Sequence, residues 1–252
     1  GPANLRAMHS ETIDVHTPDG TADCYLTRPD EGSHPGVLFL IDAIGLRPRI
    51  EEMADRIARD GYTVLAPNVF YRAGRAPLWE TPDFADAEAR AKFMQSLGPV
   101  MGELTPDRVS ADGGAYLDAL SEQTDGPLGI TGYCLGGRLG WTISASHPDQ
   151  VAALGGFHAG RLVTDDADSP HHLAPAIKAE VYWGHADADQ SMTPENIAVL
   201  DQAMDDAGVR HTTEVYEGAH HGYTMSDMAV FNEAACERHF QALGQLLSRN
   251  LT

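Results

Sequence analysis

The chain has 252 residues, with 17 lysines and arginines against 37 aspartates and glutamates, and 42% of its residues are hydrophobic. Its formal net charge of −20 disfavours nucleic acids and anionic membrane surfaces as partners, because both would be repelled. A chain with this length and apolar content can bury a large core, which argues against intrinsic disorder. The length is compatible with one large α/β domain or two small ones.

The cysteines and the first residues bear on the compartment in which the protein works. Cys24, Cys134 and Cys236 are an odd number in a chain too large to need disulfides, so we expect free thiols in a reducing cytoplasm, or one reactive thiol among them. No stretch approaches the ~18 apolar residues that span a bilayer. Residues 1–7 lack the apolar core of a signal peptide, and we interpret them as a vector-derived tail before a single domain over 8–252.

Short apolar runs bounded by Gly, Pro or Asp predict seven strands. They cover residues 22–26, 37–41, 63–67, 128–131, 151–155, 181–184 and 213–216. The middle runs are apolar throughout, which is typical of parallel strands that are covered on both faces.

Helical patterns alternate with these strands. Apolar residues recur at helical spacing over 50–58, and further helical patterns cover 139–146 and about 231–247. Thr-Pro pairs at 105–106 and 193–194 predict an N-cap followed by proline at the first helical position. The alternation predicts one mostly parallel α/β sheet with helices on both faces.

Residues 68–104 do not follow this alternation. The segment contains Tyr71, Arg72, Trp79 and three prolines, with only a short helical stretch near 85–95. It is too aromatic for a flexible linker. We therefore expect it to cover a pocket at one end of the sheet.

The most informative segment is residues 128–138, where a strand leads through a Gly-x-Cys-x-Gly motif centred on Cys134 into a helical pattern. This is the context of a nucleophile elbow. A helix N-terminus favours the thiolate form of Cys134, and the backbone N–H of Leu135 would be one oxyanion-hole donor. The alternative is a buried structural cysteine beside a glycine-rich turn. Cys24 and Cys236 lack this context and are interpreted as structural.

A cysteine nucleophile needs a base and an orienting group, which in open α/β sheets follow the carboxyl ends of strands. The sixth predicted strand is followed by Asp187 and Asp189, and the seventh by His220 and His221. The order nucleophile, acid, histidine is that of α/β hydrolases. Spacing alone leaves the choice between the two aspartates open. A metal site formed by these residues with His185 is a weaker alternative, because the histidines lack a defining ligand spacing.

Three motifs together resemble the dienelactone hydrolase family. They are Gly-Tyr-Cys-Leu-Gly-Gly at 132–137, Gly-His-Ala-Asp at 184–187 and Tyr-Glu-Gly-Ala-His-His at 216–221, and the likeness extends from about residue 36 to the last helix. The resemblance implies an α/β-hydrolase fold and a triad of Cys134, Asp187 and His221. It also implies that no metal or organic cofactor is required.

Other positions depart from the family's pattern. In the family, an acidic residue that contacts the thiol is usually glutamate. Here that position is Asp42, whose side chain is one methylene shorter. The backbone N–H of the next residue, Ala43, would be the second oxyanion donor. Arg72 resembles an arginine that holds the substrate carboxylate, although an ordinary surface arginine is an equal alternative. The position of a second such arginine is occupied by Met225. A small anionic dienelactone is therefore less expected than a larger or more apolar substrate.

These features predict a cysteine-dependent hydrolase of a small-molecule ester or lactone, with Trp79 and Tyr133 among the residues that contact substrate. Thioester cleavage or a biosynthetic tailoring reaction on the same triad is one alternative. A non-catalytic ligand-binding protein is another. We expect a monomer or homodimer in the cytoplasm, with no nucleic-acid or membrane partner.

Overall fold

The structure is a computed structural model, which describes residues 6–252. Its strands are β1 (Met8–Thr17), β2 (Gly20–Pro29), β3 (Gly36–Leu40), β4 (Thr63–Pro67), β5 (Leu128–Tyr133), β6 (Val151–Phe157), β7 (Glu180–Ala186) and β8 (His211–Tyr216). They form one sheet in the order β1-β2-β4-β3-β5-β6-β7-β8. Strand β2 is antiparallel to β1 and β4, whereas the strands from β4 to β8 in this order are parallel. The predicted mostly parallel sheet is confirmed.

Six α-helices within the described residues surround the sheet. They are α1 (Pro48–Arg59), α2 (Ala87–Gly102), α3 (Pro106–Ser121), α4 (Leu135–Ser146), α5 (Pro194–Ala207) and α6 (Glu233–Leu251), with a short 3-10 helix at Pro170–Ala176. In β5, Gly129 lies against Leu247 of α6, while its neighbour Ile130 contacts Gly140 of α4. Successive strand residues point to opposite faces, so α4 and α6 cover opposite faces of the sheet.

The helix signals in the sequence act as predicted. The hydroxyl of Thr105 accepts from the N–H of Arg108 at the start of α3, and the hydroxyl of Thr193 accepts from the N–H of Asn196 at the start of α5. In both helices the following proline occupies the first turn, where its missing N–H costs nothing. These caps fix where the two helices begin.

Strand β1 is an addition to the seven predicted strands. Its sequence, MHSETIDVHT, is polar, and only Val15 is buried. It lies at the edge of the sheet and pairs with β2 alone, so backbone hydrogen bonds rather than an apolar face define it. A search for apolar runs therefore does not find it.

Strands β3, β4 and β5 are buried along their whole length and form the centre of the core. Helix α2 begins at a cap in which the carboxylate of Asp86 accepts from two backbone N–H groups, and it ends well beyond the predicted stretch near 85–95. Within residues 6–252, none of the helices has both the length and the apolarity needed to cross a bilayer.

Candidate active site

The predicted sharp turn between β5 and α4 is present, with Cys134 at its centre. Cys134 has φ 53° and ψ −120°, a conformation that L residues rarely adopt. A Cβ atom on Gly136 would overlap the carbonyl oxygen of Leu40, and one on Gly132 would overlap the carbonyl group of Gly136. The close approach of these backbones requires glycine at both positions, and it projects Cys134 from the carboxyl end of the sheet.

The thiol of Cys134 is paired with a histidine that the sequence analysis does not identify. Its Sγ lies 3.0 Å from Nδ1 of His158, and Nε2 of that ring lies 2.8 Å from the hydroxyl of Thr224. His158 follows β6 directly and is fully buried. Burial, with the nearby His221, holds the pKa of His158 well below its usual range, so the ring stays neutral. A neutral ring can accept the thiol hydrogen at Nδ1.

A second histidine, His221, lines the same cavity as Cys134. Its Nδ1 lies 2.7 Å from Oδ2 of Asp189, and the other carboxylate oxygen accepts from the N–H and the hydroxyl of Ser191. Burial lowers the pKa of His221, but the Cys134 thiolate and the Asp189 carboxylate raise it by more, and the net direction is upward. Burial raises the pKa of the Cys134 thiol, and His221 offsets this only in part.

The carboxylate that contacts His221 is that of Asp189, which corrects the expected Asp187. Strand β7 continues to Ala186, so Asp187 is the first residue beyond the strand, where its carboxylate accepts from the N–H of Gly218. Ala188 then adopts φ 51°, and this turn brings Asp189 to the histidine. The strand end lies two residues later than the sequence pattern indicates, and this moves the orienting position.

Asp42 lies in the cavity, but its carboxylate is paired with an arginine rather than with the thiol. Arg47 donates to both oxygens of Asp42, at 2.6 and 3.0 Å, and to Asp227 at 2.6 Å. Both members of the Asp42–Arg47 pair are buried. The expected contact between Asp42 and Cys134 is therefore replaced by the Asp42–Arg47 ion pair.

Two residues expected to bind substrate point elsewhere. The guanidinium of Arg72 donates to Asp19 and Asp112, and it does not line the cavity that contains Cys134. The hydroxyl of Tyr133 is fully buried and lies 2.6 Å from Nε2 of His239. Because side chains alternate along β5, Tyr133 points into the core beneath the turn. Neither side chain lines the cavity that contains Cys134.

Trp79 and Met225 are also outside the cavity lining. Met225 is fully buried. The indole N–H of Trp79 donates to the carbonyl oxygen of Ile44, and its ring packs edge-on against Phe93. Trp79 therefore supports residues of the cavity wall and does not reach the space beside the thiol.

The cavity beside Cys134 has a volume of about 310 Å³. One wall is apolar, and several of its residues come from the segment 68–104 or the loop before α6: Ile44, Phe84, Phe93, Met94, Leu97, Met101 and Met228. Leu135 and Ala43 also line it, and within residues 6–252 no acceptor takes the backbone N–H of either. The site thus combines a thiol, a carboxylate-paired imidazole and two free N–H groups, which are the components of nucleophilic acyl transfer.

The residues that sequence reasoning missed carry different signals. His158 lies at the carboxyl end of β6, and this is the kind of position from which the other candidates are selected. The sequence pattern ends β6 two residues too early, so His158 is not recognised as a residue that follows a strand. Arg47 belongs to no motif, and only its spatial neighbours, Asp42 and Asp227, reveal its ion pairs. Among the described residues, no group of three or more His, Cys, Asp or Glu side chains is placed to hold a metal ion.

Comparison with known proteins gives a consistent result. The model of the family described as "Dienelactone hydrolase family" matches residues 22–251. The "Putative carboxymethylenebutenolidase" of Salmonella typhi is 26% identical in an alignment that covers 91% of this chain and 88% of the relative. The "Carboxymethylenebutenolidase" of Rhodococcus opacus is 27% identical and covers 88% and 84%.

The fold is shared with solved structures. The crystal structure titled "Putative Dienelactone Hydrolase" from Klebsiella pneumoniae superposes with a TM-score of 0.84 at 20% identity, covering 97% of this chain and all of that chain. The sheet order described above therefore has a close counterpart among α/β hydrolases. Since the family model matches nearly the whole chain, the protein belongs to the dienelactone hydrolase family and is a hydrolase with the α/β-hydrolase fold.

Proposed function

We propose that the protein hydrolyses ester or lactone bonds through a covalent thioester on Cys134. The observation that carries the proposal is the convergence in one cavity of the turn-mounted thiol, His221 held by Asp189, and two backbone N–H groups that have no acceptor among the described residues. The names of the curated relatives, carboxymethylenebutenolidases, support a lactone or ester as the substrate.

The reaction proceeds in two acyl-transfer steps. His221 takes the proton of the Cys134 thiol, and the thiolate attacks the carbonyl carbon to give a tetrahedral oxyanion that accepts from the N–H groups of Leu135 and Ala43. The carbon–oxygen bond to the leaving group breaks, and the departing oxygen takes the proton from His221. Water then gives a proton to His221 and attacks the thioester. Collapse releases the acid, and the thiol regains its proton from His221. Asp189 stabilises the imidazolium at each stage.

His221 rather than His158 is the base in this proposal. An imidazole that accepts a proton needs a negative partner, and Asp189 supplies one for His221. His158 has only the hydroxyl of Thr224 on its other nitrogen and is fully buried, so its charged form is strongly disfavoured. The contact between Cys134 and His158 then represents the resting position of the thiol, and His221, which also interacts with this thiol, takes its proton.

The cavity supports a larger substrate than dienelactone. Its apolar wall suits an extended acyl or alkyl segment, and neither Arg72 nor Met225 faces the space where a small lactone would lie. The same wall would accept the acyl chain of a thioester, so thioester cleavage by the same residues is the second candidate. The three free cysteines agree with our further proposal of a cytoplasmic location.

Replacement of the proposed nucleophile tests the function. With p-nitrophenyl butyrate, a δ-lactone and a butyryl thioester as substrates, we expect Cys134→Ala to lower kcat/KM at least about 10⁴-fold on each substrate that the wild type cleaves. Cys24→Ala, which removes a buried thiol distant from the cavity lining, is the control and should remain near wild type. Full activity in Cys134→Ala would exclude the proposed nucleophile, and the ranking of the three substrates separates esterase, lactonase and thioesterase activity.

The two histidines should respond differently to the same substitution. We expect His221→Asn to lower kcat at least about 10³-fold, because the base is lost, and His158→Asn to lower it less than about tenfold. Asparagine tolerates the positive φ of 39° at His158 and can place a hydrogen-bonding group near the former Nδ1. Steady-state assays of both variants measure the two kcat values. A larger loss in His158→Asn than in His221→Asn would assign the base to His158.

The two aspartates provide a matched pair. We expect Asp189→Asn to lower kcat about 10³- to 10⁴-fold, because the amide can no longer stabilise the His221 imidazolium. Asp187→Asn should stay within about threefold of wild type, since an amide oxygen can still accept from the N–H of Gly218. Both kcat values are measured with the same ester. The opposite ranking would restore Asp187 as the orienting acid.

A further inference from the structure

Two arginines line the same cavity as the thiol and, unlike nine other arginines of this chain, lie near no carboxylate within residues 6–252. Nine arginines lie within 4.0 Å of a carboxylate: Arg47, Arg49, Arg56, Arg72, Arg75, Arg108, Arg210, Arg238 and Arg249. Arg138 and Arg161 line the cavity beside Cys134, and among residues 6–252 neither guanidinium has a carboxylate within that distance or a side-chain hydrogen bond. In a chain of net charge −20, two such cations at one site are unusual.

Arg138 is the more buried of the two arginines. Its side chain is half-buried in the first turn of α4, and a guanidinium carries five N–H donors that need acceptors. Burial, with the neighbouring Arg161, lowers the pKa of Arg138, which indicates that its charge lacks compensation. An anion placed between the two guanidinium groups would supply acceptors to both.

The backbones of both arginines are fixed. Arg138 lies in α4, one helical turn after Leu135, and both side chains line the cavity. Arg161 follows the carboxyl end of β6, and its backbone N–H donates to the carbonyl oxygen of Ser191 at 2.8 Å. The two arginines therefore lie on segments that follow the neighbouring parallel strands β5 and β6, and these segments also carry the catalytic turn and His158.

The acidic groups around the arginines leave the cavity side open. Within the cavity, Asp42 is already paired with Arg47. On the other side, a neighbouring groove that both arginines also line contains Asp166 and Asp168, neither of which is within 4.0 Å of a guanidinium. An anion that enters beside Cys134 thus competes with these two solvent-exposed carboxylates and not with an existing ion pair.

We propose that Arg138 and Arg161 bind an anionic group, a carboxylate in the first instance, that an apolar segment separates from the scissile carbonyl. The apolar wall that includes Phe93 and Leu97 would contact that segment, and the planar guanidinium forks would bind the carboxylate. This inference rests on the proposed function for the identity of the scissile bond. It selects substrates with an apolar body and one charged end, on the acyl side or on the alcohol side.

Binding to Cys134→Ala protein, which cannot form the thioester, tests this site without turnover. Calorimetry compares monomethyl adipate with methyl hexanoate, where the charge is on the acyl side, and 4-carboxyphenyl butyrate with phenyl butyrate, where it is on the alcohol side. We expect the anionic member of at least one pair to bind about tenfold or more tightly than its neutral partner. The pair that shows the preference identifies the side of the ester that carries the charge.

Arginine substitutions in the same protein identify the groups responsible. Both Arg138→Gln and Arg161→Gln should abolish the preference for the anion. Arg161 is exposed, so its substitution keeps the test valid if Arg138→Gln fails to fold. Arg59→Gln, an exposed arginine on α1 outside the cavity lining, removes the same charge and should leave the preference intact.

The outcomes separate this proposal from the proposed function. Equal dissociation constants within both pairs, or a preference that survives in Arg161→Gln, would overturn the anion site even if the wild type hydrolyses neutral esters. If Cys134→Ala hydrolyses these esters, the proposed nucleophile alone is overturned, and the preference is then measured as the ratio of KM values within each pair. A ratio of about tenfold that both arginine substitutions abolish would still support the anion site, and equal KM values would overturn it.

Discussion

The site depends on the close contact between the turn after β5 and the neighbouring backbone at the end of β3. There is no space for a Cβ atom between Gly136 and the carbonyl oxygen of Leu40, so the turn can close only with glycine. Closure forces Cys134 into positive φ, at a cost of about 1–3 kcal/mol that the packed core must offset. The same geometry leaves the N–H of Leu135 free, so one steric constraint places both the proposed nucleophile and a proposed oxyanion donor.

Electrostatics assign different roles to the two histidines around this turn. His158 is buried against a hydroxyl and stays neutral, whereas His221 is partly exposed and paired with Asp189. A neutral imidazole can hold the resting thiol without ionising it, and burial itself keeps the Cys134 thiol protonated. The carboxylate of Asp42, which stands at the family's acidic position, forms an ion pair with Arg47. In this chain a histidine therefore makes the contact with the resting thiol that the family resemblance assigned to a carboxylate.

Much of the fold follows from local signals, because buried strands and capped helices carry them in the sequence. The turn at Cys134 is equally local, since its glycines and flanking elements are contiguous. The edge strand β1 has no such local signal, because its residues are mostly polar and β2 is the one strand it pairs with in the described sheet. The choice of Asp189 over Asp187 depends on a strand that ends two residues later and on a positive φ between them, and neither shows in residue types. The orientation of Arg72 depends on carboxylates distant in sequence, which motif position alone does not reveal.

The central claim is that acyl transfer passes through Cys134. With p-nitrophenyl butyrate the leaving group departs readily, so thioester hydrolysis should limit turnover and the acyl-enzyme should accumulate. Acid quenching during turnover, followed by intact-protein and peptide mass spectrometry, measures this species directly. The account predicts one butyryl group per chain, on the peptide that contains Cys134. An adduct on another side chain, or protein that stays unmodified throughout turnover, would contradict it.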